Sequence, residues 1–359
     1  MTETILSSPH YLGWDIGGAH LKAALVRADG VAVKVVQVPC PLWQGLDQLD
    51  MAFEAVARQL DMTQVMHHGV TMTGELADIF PDRLTGVWEI ASRAQASLTG
   101  EVLFFAGTNG FVPLGEVRAN ANAIASANWL ASAAFVAHKL KQGLFIDIGS
   151  TTADFVLLRE GYPANLGQTD AERMRHEELV YTGVIRTSLM ALASSVPFAG
   201  QWQNVAAEHF ATTADIYRLT GELDPAEDMA ATADGAGKSI EETCQRLARM
   251  VGRDAVDADK SAWIHLARAF KQQQLDLLRR AILRNLSRDL ESPAMPFIGA
   301  GAGAFLVREL AQQLGHEFIA ASSLLKAESD EVRDWAGICL PAYSVANLVM
   351  DAWGGETTC

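Results

Sequence analysis

Apolar runs that end in an aspartate and restart after a glycine-containing turn occur twice along this chain. The first reads Leu12-Gly13-Trp14-Asp15-Ile16-Gly17-Gly18-Ala19-His20-Leu21-Lys22 and restarts as Ala23-Ala24-Leu25-Val26. The second reads Leu144-Phe145-Ile146-Asp147-Ile148-Gly149-Ser150-Thr151-Thr152-Ala153-Asp154 and restarts as Phe155-Val156-Leu157-Leu158. Short apolar runs bounded by turn residues predict strands, so each copy predicts a hairpin. After the first copy the pattern predicts a strand over Val31 to Val38, a helix over Leu46 to Leu60, and a strand running through His68 toward Thr73-Gly74-Glu75. A further strand over Val102 to Ala106 and one small-residue helix over Ala119 to Lys141 lead into the second copy. Strands alternating with helices predict an α/β fold with parallel or mixed sheets.

The second half is longer because a polar stretch of about residues 161–260 interrupts it, including an Asp/Glu/Ala/Gly-rich run from Gly221 to Ser239. It reads as a lid or substrate subdomain. Helical spacing of Trp263, Leu266, Phe270, Leu277, Ala281 and Leu283 predicts an amphipathic helix over Ser261 to Leu290. A strand then turns through Gly299, Gly301 and Gly303 into a helix, where glycines let a ligand lie against the backbone at a helix N-terminus. The expected domains are 1–142, 143–340 with the insertion, and a terminal segment 341–359 whose helix packs back on the first domain.

The chemistry sits in the turns. Glycine allows close approach of backbone N–H groups to phosphate, and a strand-end aspartate can orient a metal ion or water beside it. Gly17, Gly18 and Gly149, with Ser150, Thr151 and Thr152, are therefore candidate phosphate holders, and Asp15 and Asp147 candidate ligands of one divalent ion. His20 and Lys22 stand two apart on a strand and project from one face, fit to pair with phosphate or to move a proton. Asp154 and Glu75 are candidate catalytic carboxylates; Asp78, three residues after Glu75, also fits the first turn of a helix. Arg186, in Tyr181-Thr182-Gly183-Val184-Ile185-Arg186, is a candidate anion clamp, since guanidinium grips phosphate bidentately. The adjacent His67 and His68 point to opposite faces of a strand and form no metal pair.

Composition narrows the class. The 359 residues are 49% hydrophobic, enough for a large core, and the net charge is −15 with dispersed basic residues, which leaves no nucleic-acid footprint. No apolar run reaches the 18 residues of a membrane span, and Met1 to His10 lacks a secretory pattern, so a cytoplasmic protein is expected. Cys40, Cys244, Cys339 and Cys359 are scattered without a C-x-x-C pair, arguing against a disulfide framework or structural zinc. Nothing in the sequence decides between a monomer and a homo-oligomer.

The three loops, Asp15-x-Gly17-Gly18, Asp147-x-Gly149-Ser150-Thr151-Thr152-x-Asp154 and Gly299-x-Gly301-x-Gly303, resemble the two phosphate motifs and the adenosine motif of the superfamily of acetate and sugar kinases, actin and heat-shock ATPases. That resemblance implies a duplicated actin-like (ribonuclease H-like) fold with a cleft between the halves, Mg2+ or another divalent ion, and ATP as one candidate ligand. The second loop is similar to that of the hydantoinase A/oxoprolinase family. Trp14 to Lys22, Met72 to Asp78, Ala125-Ser126-Ala127-Asn128-Trp129 and Phe210 to Tyr217 resemble its members in tetrahydromethanopterin-linked one-carbon metabolism. Those members imply transfer of a furanmethyl group from its diphosphate to a tyramine phenol, building a methanofuran-type carrier from a diphosphate and a phenolic amine. One departure matters. Ala19-His20 replaces the hydroxyl residues that kinases and hydantoinases keep in the first turn, which weakens ordinary phosphoryl transfer from ATP. An ATP-dependent kinase or amide hydrolase, favoured by the third glycine loop, and a non-catalytic nucleotide-binding regulator are the competing expectations.

Overall fold

Strand β1 (His10–Ile16) is buried along nearly its whole length and continues through the Gly17-Gly18 turn into β2 (His20–Arg27), which pairs in turn with β3 (Val31–Pro39). The computed structural model describes residues 10–62, 65–289 and 294–354, so the N-terminal reading up to Pro9 and the cysteine at 359 lie outside the described residues. Helix α1 (Asp47–Ala57) leads to β4 (Val65–Met72), parallel to β1, and α2 (Arg83–Ser97) leads to β5 (Glu101–Phe105), parallel to β4. The short β6 (Phe111–Pro113) closes that edge.

The single helix expected over 119–141 is two: α3 (Leu114–Ile124) and α4 (Asn128–Lys139). The break falls at Ser126, whose φ of 52° is left-handed and whose hydroxyl donates to Glu75 Oε1 at 2.7 Å. Alanine-rich flanks gave no local sign of it, because the stop is set by a partner 51 positions away in the chain.

The second half repeats the opening: β7 (Gly143–Ile148) turns into β8 (Ala153–Arg159), with β9 (Tyr162–Pro163) on its far side. The insertion holds α5 (Asp170–Arg175), β10 (Leu179–Val180), the hairpin of β11 (Ser195–Phe198) and β12 (Gln201–Asn204), α6 (Thr213–Thr220) and α7 (Ile240–Met250). Helix α8 (Lys260–Leu286) follows, then β13 (Phe297–Ala300), α9 (Ala304–Leu314) and β14 (Phe318–Ala320). Strands β13 and β14 join β7 in parallel. In α8 the buried stripe uses Leu275, Leu278 and Ile282, while the expected Leu277 and Leu283 are 36% and 51% exposed. The helix packs against α6, α7 and β8 over its length, and that tertiary surface selects the stripe.

A small strand, β15 (Lys326–Ala327), joins the first sheet beside β3, followed by α10 (Asp330–Ile338) and α11 (Leu340–Gly354). Helix α11 lies on the first sheet because Gly13 and Gly69, paired in register on β1 and β4, leave a groove. A Cβ at Gly13 would stand 1.9 Å from the Ala342 carbonyl oxygen, and one at Gly69 2.6 Å from the Val345 side chain. The architecture is the duplicated actin-like α/β fold, with the two hairpin turns facing one cleft.

Candidate active site

The two turns are built alike. Gly17 N–H donates to the His20 carbonyl at 2.9 Å, and Gly149 N–H donates to the Thr152 carbonyl at 2.9 Å. Strand register places Asp15 opposite Lys22 in the first hairpin and Asp147 opposite Asp154 in the second. A cavity of about 400 Å³ lies between the halves. The first hairpin gives it Asp15, Gly17, Gly18, His20 and Lys22; the second gives it Asp147, Gly149, Ser150, Thr151, Thr152 and Asp154. Arg186 reaches the same cavity because its segment is pinned to the second turn. Its N–H donates to the Ser150 carbonyl at 2.8 Å, and Gly183 presses so closely on Ser150 and Thr151 that a Cβ there would stand 2.4 Å from their backbone.

Lys22 Nζ stands 3.4 Å from Asp15 Oδ2. Burial acts to lower the lysine's pKa, but the neighbouring acidic groups, Asp15 foremost, outweigh it and hold the ammonium charged. Burial, then Lys22 and Arg186, push His20 down to about 4, so its imidazole is neutral at pH 7. Burial, then the nearby Asp154, push Asp147 up to about 7. Arg173 Nη1 holds Asp154 at 2.8 Å while its guanidinium covers the Trp129 ring at 3.8 Å. Across the cavity mouth the Arg186 guanidinium lies 5.3 Å from the centre of the Trp43 ring.

Glu75 does not line the cavity; it sits behind Ser126, which does. Its side chain is 1% exposed, and burial pushes it up to about 7 against the Ser126 bond. Gly299, Gly301 and Gly303 do not line the cavity either. They are closely packed: a Cβ at Gly301, where φ is +75°, would stand 2.3 Å from Asp147 Oδ1, and one at Gly303 2.5 Å from Ile148. The turn thus seats Asp147 on its strand. Asp78 lines the cavity; His68 instead accepts from Trp14 Nε1 at 3.2 Å in the core.

The residue pattern alone did not single out Trp43, Asp170 or Arg173, and used Ser126 only as part of a resemblance. Asp170 and Arg173 fall in Thr169-Asp170-Ala171-Glu172-Arg173, whose Thr169/Glu172 capping box reads as an ordinary helix start and hides them.

The fit of a divalent ion rests on the donors. Among the described residues no group of three or more His, Cys, Asp or Glu is arranged to hold a metal. Asp15 Oδ1, however, is buried without a partner, and Asp147 shares the cavity. Two carboxylates suit Mg2+, which keeps several waters and takes phosphate oxygens from a substrate.

The family model described as Hydantoinase/oxoprolinase matches residues 66–327. The chain is similar to the Methanocaldococcus jannaschii protein named (4-{4-[2-(gamma-L-glutamylamino)ethyl]phenoxymethyl}furan-2-yl)methanamine synthase, 29% identical over 272 residues, 76% of this chain and 80% of that protein. A Methanococcus vannielii protein of the same name is 27% identical over 223 residues, 60% of this chain and 95% of that protein. Among solved structures, a nucleotide-free acetone carboxylase matches 95% of this chain and 70% of its own at 11% identity, with a TM-score of 0.54, a likeness of fold alone. Among the described residues no helix is long and apolar enough to cross a membrane.

Proposed function

The chain belongs to the hydantoinase/oxoprolinase family, and from that premise we propose that it is the synthase of a methanofuran-type carrier core, transferring a furanmethyl group from its diphosphate to the phenol oxygen of a tyramine. The observation that carries this reading is the imidazole and ammonium of the first hairpin. Where a kinase keeps hydroxyls, this chain keeps a buried imidazole and an ammonium on Asp15, with Arg186 from the other half on the same cavity. Names of the relatives at 29% and 27% identity support the product class.

In the proposed reaction the bond between the furanmethyl carbon and the diphosphate oxygen breaks, and its electron pair leaves with the diphosphate. The phenol oxygen forms the new bond to that carbon, and the phenolic proton passes to a base in the cleft. Lys22, Arg186 and the N–H groups of the two glycine turns stabilise the charge growing on the leaving oxygens. A divalent ion held by Asp15 and Asp147 supplies further neutralisation of that charge when bound. His20 is the candidate base. Burial first, then Lys22 and Arg186, keep it neutral, and a bound diphosphate that offsets the two cations raises its basicity in part.

The test is turnover by the purified chain with Mg2+. Diphosphate release that depends on both a furanmethyl diphosphate and a phenolic amine supports the transferase. ADP release from ATP alone moves the assignment to a kinase or amide hydrolase, and nucleotide binding without turnover to a regulator.

A further inference from the structure

A diphosphate explains the cations that line the cavity but not all of its carboxyl groups. The same cavity is also lined by Ser126, Asp154 and Asp170, with Glu75 behind Ser126. Arg173 pairs with Asp154, and Arg83 Nη2 pairs with Asp170 Oδ2 at 2.9 Å. Among the described residues Glu75 forms no ion pair of its own; the Arg83 charge reaches it, but Arg83 is already paired with Asp170. Ser126 Oγ donates to its Oε1, while its Oε2 is buried with no hydrogen-bond partner. Ser126 Oγ also lies 3.4 Å from Asp170 Oδ2, so one hydroxyl on the cavity surface links both carboxyl groups. Two buried carboxyl groups that share one guanidinium either take up a proton or leave room for a second positive charge. Tyr181, half-exposed on the same cavity, adds an aromatic ring beside these acids, where a cation gains further attraction.

We propose that Glu75, Ser126 and Asp170 form a seat for a primary ammonium group of the substrate. This rests on the function proposed above and fixes the direction in which substrate lies: diphosphate toward Lys22 and Arg186, ammonium toward Glu75. Ser126 accepts one N–H and Asp170 a second, and Glu75 supplies through Ser126 the charge that makes the seat selective. A neutral hydroxymethyl or methyl group in the same position leaves the carboxyl uncompensated and binds more weakly. Two ammonium groups are available in a substrate of this class, one on the furan's aminomethyl carbon and one on a γ-glutamyl group of the phenolic partner.

Calorimetry on the full chain decides it without turnover. Furan-2-ylmethanamine is compared with furan-2-ylmethanol, and γ-glutamyltyramine with N-glutaryltyramine, which lacks only the ammonium, on the wild type, Glu75→Gln and Ser126→Ala. In the wild type one amine is expected to bind roughly ten- to hundredfold more tightly than its counterpart without the ammonium, the gain of a charge-assisted hydrogen bond. In both variants that ratio is expected to fall below about threefold. The pair that loses its ratio identifies the source of the ammonium. A wild type with no preference in either pair, or a preference that survives both substitutions, overturns the seat. Absence of diphosphate release in the turnover assay defeats the transferase reading alone, because the amine ratios are read independently of it.

Discussion

Lys22 faces Asp15 across the first hairpin with its ammonium 3.4 Å from the carboxylate, whereas the equivalent register position of the second hairpin places Asp154 opposite Asp147. The duplicated turn is therefore asymmetric in charge. One copy brings an ion pair, Lys22 with Asp15, to the cavity and the other brings two carboxyl groups.

Replacing that cation separates the activities. Lys22→Met is expected to depress turnover of a furanmethyl diphosphate by roughly a hundredfold or more, because it removes charge stabilisation that grows in the transition state. Any ATP hydrolysis, expected to be slow in the absence of a second substrate, should change far less. Equal losses in parallel steady-state assays would count against the leaving-group role.

Asp147→Asn is expected to abolish turnover while leaving the thermal midpoint unchanged or higher. The substitution keeps the volume and removes a charge that burial already disfavours. Near-normal rates at saturating Mg2+ would retire Asp147 as a metal holder.

Arg186→Ala is expected to weaken inorganic diphosphate by about 1.5–3 kcal/mol, the range for a hydrogen bond to a charged group. Stability should move little, since the side chain's ring contact with Trp43 lies at the cavity mouth. Unchanged affinity in a calorimetric titration would show that the guanidinium serves Trp43 alone.

Gly301→Ala tests packing against ligand binding in the third glycine run. A left-handed φ of +75° and a Cβ 2.3 Å from Asp147 Oδ1 predict a loss of at least about 1–2 kcal/mol in stability, together with displacement of Asp147. A variant of wild-type stability that has lost only adenine-nucleotide binding would restore the adenosine role.

Stability should also carry the signature of Glu75. Its folded pKa, about 7, lies above the ordinary value of 4.5, so the native state binds the extra proton between those values. The contribution is fully present below pH 4.5 and is lost as pH rises through 7, by roughly 3 kcal/mol at most. Glu75→Gln is expected to gain on the wild type across that window in denaturant titrations. Parallel pH profiles for the two proteins would contradict it.

The sequence by itself determined the hairpins, the alternation of strand and helix and the turn chemistry, because these are local. A glycine turn, an apolar run of strand length and an aspartate at its end specify one another within a dozen residues, and the duplication made the pattern legible. Position on the cavity was decided by tertiary structure wherever two distant segments had to meet. Ser126 breaks a helix to reach Glu75, Asp170 lies within a helix start, and Trp43 meets Arg186 only across the cleft. The Gly299-x-Gly301-x-Gly303 run shows the same limit from the other side. Its composition fits either a ligand or a close neighbour, and only the approach of Asp147 and Ile148 in space reveals what occupies the room where the Cβ atoms would be.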